Sequence, residues 1–97
     1  MPSTVSYEHT PVVVGTLSTT VLAKNSDRKY ALIVNVSDET IFLKIGVSPN
    51  ALLNEGIPVG PNRGSFEMSP HFGNLSQEAI AGVCATGGKL MLVTEAE

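Results

Sequence analysis

A chain of 97 residues with 42% hydrophobic and 15% charged side chains has room for one domain around a single modest core. Its net charge of −3, with six scattered lysines and arginines, argues against the clustered basic surface that nucleic-acid binding demands. So few charges leave broad, weakly polar surface, which favours life inside an assembly, and no apolar run approaches the ~20 residues of a membrane helix.

Residues 1–10 are polar, with Pro2 and several Ser and Thr. They read as an extended arm, either a frayed terminus or a tether that orders on a neighbouring subunit with Tyr7 as a contact. The start has neither a charged n-region nor an apolar h-region, so no secretory leader is expected and synthesis in a cytoplasm is. Residues 11–97 form the domain. Pro11–Gly15 is a short apolar strand, Thr16–Ala23 a second, and Lys24-Asn25-Ser26-Asp27 a turn in which Asn25 and Asp27 suit Asx geometry.

The stretch Lys29–Gly46 dominates the middle of the chain. Two β-rich runs, Tyr30–Val36 and Thr40–Ile45, flank Ser37-Asp38-Glu39 and read as a β-hairpin. Period two sets Val36 against Ile41, Val34 against Leu43 and Leu32 against Ile45, giving one apolar core face. The opposite face, Ala31, Ile33, Asn35, Phe42 and Lys44, is too apolar for plain solvent. Ile33, Asn35, Phe42 and Lys44, with Tyr7 of the arm, are therefore the candidate interface residues.

Beyond Gly46, the run Val47–Gly56 is irregular, with one helical turn expected at Pro49 and Ala51-Leu52-Leu53 tucking inward. Pro58 and Pro61 cannot donate to a ladder, so Gly56–Gly64 is edge or loop. Ser65–Ser69 alternates, with Phe66 and Met68 inward. Glu78–Ala85 and Lys89–Thr94 bracket Thr86-Gly87-Gly88, a Gly-Gly hairpin signal, and the small residues Ala79, Ala81, Gly82 and Ala85 imply close packing. The expectation is an all-β fold: a small antiparallel sandwich or barrel of about seven short strands behind an N-terminal arm.

Side chains able to run a reaction are sparse. Cys84, the lone cysteine, lies among small apolar residues and reads as a buried structural thiol. His9 and His71 have no partner at metal-ligand spacing, and Asp38-Glu39 sit in a solvated turn. Gly56, Gly60 and Gly64 match no phosphate-binding pattern. The aromatics are not interleaved with basic residues, against single-strand stacking. No catalytic, cofactor-binding or metal residues are expected, and the chain is not expected to be an enzyme.

The order of short motifs from Val21 to Glu95 resembles a group of small tailed-bacteriophage virion proteins. It is carried by Val21–Asp38 (with Asn25, Arg28 and Leu32-Ile33-Val34-Asn35), Ile41–Gly46, Gly56-Ile57-Pro58-Val59, Gly64–Met68, Ala79–Gly82 and Gly88–Glu95. Val36 stands where a polar residue is expected beside Asn35. The resemblance implies a β-sandwich that binds the capsid exterior as a cement or decoration protein. Its partner would be the major capsid protein, with self-association into trimers or dimers on the particle, no nucleic acid and no membrane. The location implied is the virion surface after synthesis in the host cytoplasm. A head–tail adaptor or tail component is the alternative. A carbohydrate-binding sandwich is a further one, against which the absence of Trp and the scarcity of Tyr count.

Overall fold

The computed structural model describes residues 5–97; the part of the arm formed by residues 1–4 lies outside the described residues. The described residues form eight strands: β1 (Tyr7–Val14), β2 (Thr19–Leu22), β3 (Tyr30–Asn35), β4 (Ile41–Gly46), β5 (Ile57–Val59), β6 (Gly64–Met68), β7 (Ala79–Val83) and β8 (Lys89–Ala96). They form two antiparallel four-stranded sheets, sheet A in the order β1-β8-β3-β6 and sheet B in the order β2-β7-β4-β5. Of the connections, only β4 to β5 stays within a sheet. All others cross the sandwich, which is the winding of an eight-stranded jelly roll.

This winding corrects three readings of the sequence. Residues Tyr7–Thr10 are not part of a free arm, because β1 begins at Tyr7 and pairs along its length with β8, from Tyr7 with Ala96 to Val14 with Lys89. The runs on either side of Ser37-Asp38-Glu39 do not form a hairpin: β3 joins sheet A between β8 and β6, and β4 joins sheet B between β7 and β5. The same holds for the Gly87-Gly88 turn, whose φ values of 78° and 65° meet the demand for left-handed backbone while the chain passes from β7 in one sheet to β8 in the other. Turn chemistry is alike for a hairpin and for a crossover, so the signal was real and its partner was not specified.

The crossing also inverts the faces of β3. With β3 lying between β8 and β6, Ile33 is held between Val93 and Phe66, and Ala31, Ile33 and Asn35 are fully buried. Leu32 and Val34 face outward and are only partly buried, and Val36 is exposed. In β4 the expected face holds, with Ile41 and Leu43 at 0% exposure. The core joins these to Met68, Ile80, Met91 and Val93. Each such side chain contributes roughly 1.5–3 kcal/mol by leaving water. Phe66 and Met68 point inward as the alternation predicts. Gly82 is tightly enclosed: a Cβ there would stand 3.0 Å from the Val21 side chain and 3.4 Å from that of Leu43, the close packing expected of the small-residue strand. Cys84 is buried, with Sγ 3.3 Å from the Val14 carbonyl.

The segment 47–56 carries no helix. It leaves the end of β4, climbs the outer face of sheet B, and binds the Ala51 amide to Ser18 Oγ at 2.9 Å before returning to β5. Ala51 packs on Ala81, Val83 and Phe42. Gly56 closes the return with φ 87°, where a Cβ would lie 2.3 Å from the Leu43 carbonyl oxygen. Leu52 and Leu53, expected to tuck inward, are exposed. The β5 segment is an edge strand, as Pro58 requires.

Two buried polar side chains fasten the crossovers. Arg28, 1% exposed, donates from Nε to Glu95 Oε2 at 2.7 Å, from Nη1 to the carbonyls of Ser76 and Glu78, and from Nη2 to the Ala23 carbonyl. One guanidinium thus ties β8, the link before β7 and the end of β2, with its donors used as its rigid fork allows. At the opposite end Asn35 Nδ2 donates to the Glu39 and Val59 carbonyls, and its Oδ1 accepts from the amide and the hydroxyl of Ser37. All four hydrogen-bonding positions of the amide are filled, so its burial carries no unpaired polar group.

Near Asn35, Asp38 and Glu39 bind the neighbouring crossover. Lys89 Nζ meets Asp38 Oδ1 at 2.7 Å, and Glu39 accepts from the Thr86 amide and hydroxyl at 2.9 and 2.8 Å. These bonds hold both carboxyls below their ordinary values of 3.8 and 4.5, the first through Lys89 and the second through Thr86. Folded values below unfolded ones mean that the contribution is complete above about pH 4.5. It is lost as pH falls through the folded values. The thermal midpoint is therefore expected to drop on acidification below that range. Glu39→Gln, measured by circular dichroism melts, should flatten part of the acid slope, and an unchanged slope would show the tie to be idle.

Candidate interaction surfaces

The residues singled out from the sequence do not converge on one surface. Ile33 lies in the core, and Asn35 is spent on the crossover, so neither can meet a partner. Phe42 is half-buried under the 47–56 segment against Ala51, Ala81 and Val83. Lys44 is exposed on the outer side of sheet B, and Tyr7 is exposed on sheet A. The core side of β3 and the outer side of β4 belong to different sheets, so a hairpin face joining these residues does not exist.

What the structure exposes instead is the outer face of sheet A. Alternation along β1, β8 and β3, in the observed register, places Val13, Leu90 and Val36 in one row and Pro11, Leu92 and Val34 in the next. The third row is His9, Thr94 and Leu32, and the last Tyr7, Ala96 and Tyr30. Val13 is 62% exposed and Leu92 46%. Large apolar side chains at such exposure, in adjoining rows of one sheet face, make a contiguous patch. Among these four rows there is no Asp, Glu, Lys or Arg; the nearest charge is Glu67 on β6, opposite Leu32.

Glu67 is itself held. Tyr30 donates its hydroxyl to Glu67 Oε2 at 2.5 Å, and this bond to a carboxylate pushes the phenol up to about 12. His9 Nδ1 shares a hydrogen bond with Thr94 Oγ1 at 2.9 Å. Tyr30, Glu67, His9 and Thr94 thus have partners within the face, and Glu67 keeps its bond to Tyr30 if the face is covered.

A second apolar surface lies on the opposite wall. Leu17, 81% exposed, stands beside Leu52 and Leu53 around an open hollow of about 380 Å³. These leucines ride on segments fixed to each other by the Ala51–Ser18 bond, so they form a knob on loops where sheet A offers a plane. A hollow of about 420 Å³ beside Arg28 is less suited to apolar contact, being lined by Asp27, Lys29, Gln77 and Glu97, with charges of both signs.

Three of the four edge strands, β1, β2 and β5, are poorly fitted to take a neighbour. Ser6 and Glu97 exchange both backbone bonds, so alternation turns the backbone groups of Tyr7, His9, Pro11 and Val13 toward the free edge of β1. Pro11 has no N–H to offer there. The free edge of sheet B opposite β2 is the three-residue β5 with Pro58, and β2 carries a register shift between Thr20 and Leu22. Prolines, short strands and bulges guard edges against pairing.

Reasoning from sequence missed the sheet A face because Leu32, Val34 and Val36 were placed in the core with Ile41 and Leu43. The available signal was that both faces of Tyr30–Val36 are apolar, so alternation alone does not say which of the two faces the core. Among the described residues, no group of three or more His, Cys, Asp or Glu is placed to hold a metal ion. Comparison with family models, curated proteins and solved structures gave no match to this chain.

Proposed function

We propose that this chain is a non-enzymatic structural protein of a tailed-phage particle, binding the outer surface of the capsid as a cement protein and contacting the major capsid protein in many copies. The observation that carries this reading is that a domain of 97 residues exposes apolar surface on two opposite walls, the sheet A plane and the Leu17–Leu52–Leu53 knob. A protein with two such walls suits the space between two neighbours, whereas a receptor for one small ligand needs a single concave site. Each neighbour removes apolar area from water at about 25 cal/mol per Å² gross. A component that binds only the assembled shell stabilises that shell by mass action.

The motifs behind the phage resemblance are linked in the fold. Arg28 of the turn before β3 clamps Glu95 of the last strand, and Asn35 binds Val59 of the Gly56–Val59 segment. These motifs therefore describe the frame of the sandwich, which agrees with a shared architecture presenting variable surfaces. Quantifying this protein against the major capsid protein in purified particles tests the reading. Hundreds of copies are expected. A handful would favour the head–tail adaptor or tail alternative, and none would remove the virion role.

A further inference from the structure

We propose that the outer face of sheet A pairs with the same face of a second copy of this chain, about a two-fold axis running along β8. The composition of the face argues for this occupant. Leu90 and Leu92 on β8 form a central line, flanked by Val13 and Pro11 on β1 and by Val36 and Val34 on β3. Rotation about that line lays β1 of one copy over β3 of the other at the same height along the strands. Val13 then meets Val36, Pro11 meets Val34, and Leu90 and Leu92 each meet their own counterpart. Such a contact is isologous, with one patch serving both copies.

Charge placement supports the same axis. Although the chain carries a net charge of −3, the paired rows contain no Asp, Glu, Lys or Arg, so no like charges are brought together. Glu67 lies one strand beyond β3, and the rotation carries it past the free edge of β1 in the other copy, where it stays in water. An axis across the strands would set the Val13–Leu90–Val36 row against the Tyr7–Ala96–Tyr30 row, a poorer match of apolar with polar. Sheets packed face to face with strands nearly aligned are an ordinary sandwich contact.

Size sets the strength. Three strands about 4.8 Å apart and four rows about 6.8 Å apart give a footprint of about 400 Å² per copy. That is about half the ~800 Å² per partner of a stable complex. Pairing in free solution is therefore weak and concentration-dependent. Copies held side by side on a shell meet at a high effective concentration, which makes the same contact persistent. Only this last step rests on the cement reading; the pairing belongs to the isolated protein, so the two can fail separately.

Sedimentation velocity of the isolated protein from about 10 µM to about 1 mM covers the range such a footprint calls for. Wild type is expected to pass from monomer toward dimer. Leu92→Lys, which would set a charge against its own counterpart, and Val13→Lys are expected to stay monomeric with wild-type melting curves. Leu53→Lys, on the other wall, should associate as wild type does. The axis has its own test: Val13→Lys and Val36→Glu, each monomeric alone, should form a mixed dimer when combined, because position 13 meets position 36. A wild type monomeric throughout, or a Leu92→Lys that associates normally, would overturn the pairing; folded variants that fail to rescue each other would overturn the axis. Particle binding by a monomeric wild type would assign the face to another protein and likewise defeat the proposal.

Discussion

Arg28→Ala is expected to destabilise the domain by about 3–5 kcal/mol, since it removes the buried partner of Glu95, whose side chain is 19% exposed, and with it the donors to three carbonyls. The guanidinium is almost fully buried, and its loss strands the Glu95 carboxylate and the carbonyls of Ala23, Ser76 and Glu78 together. A small domain has only about 5–15 kcal/mol of net stability, so the variant should lose a large part of it. Arg28→Lys is expected to fall between, because an ammonium keeps the charge opposite Glu95 but cannot reach carbonyls on three segments with a planar fork. Denaturant midpoints measure both effects. An Arg28→Ala midpoint equal to that of wild type would mean that water replaces the clamp, contrary to its burial.

The second large effect separates the two sides of β3. Ile33→Asp would place a carboxylate in the core between Val93 and Phe66, where nothing can pair with it, at a cost of several kcal/mol. The domain should fail to fold. Val34→Asp changes the adjacent residue, but on the outer face between Leu92 and Ser65. It should remain folded, with a loss of about 1 kcal/mol from strand propensity, and should abolish self-association. Circular dichroism melts of the pair decide the orientation of the strand. Unfolding by Val34→Asp with a folded Ile33→Asp would restore the hairpin face and contradict the register observed here.

That reversal shows what the sequence could and could not convey. Strands and turns were legible because β-branched runs and Gly, Pro, Asn and Asp clusters act locally. Ile57–Val59 was readable as an edge from Pro58 alone, and Phe66 and Met68 showed their inward side because Ser65 and Glu67 between them are polar. For Tyr30–Val36 both alternating sets are apolar, so period two could not choose a face. Pairing depends on which sheet each strand joins, and no local residue specifies whether Ser37–Glu39 turns within a sheet or across the sandwich. In the sequence Arg28 shows only its adjacency to Lys29. Its role comes from Ala23, Ser76, Glu78 and Glu95, which lie mostly far from it in sequence. The exposed apolar face of sheet A was hidden for the same reason: Val13 comes beside Val34 and Val36 only through Leu90 and Leu92 of β8.

The proposed occupant of the sheet A face, where Val13 and Leu92 stand exposed, is a second copy of this chain. Amide spectra of isotopically labelled protein across a dilution series test it at the level of single residues. Concentration-dependent shifts are expected at Val13, Val34, Val36, Leu90 and Leu92, while Leu52 and Leu53 stay constant. Shifts confined to the 47–56 segment, or none at any concentration, would contradict the account.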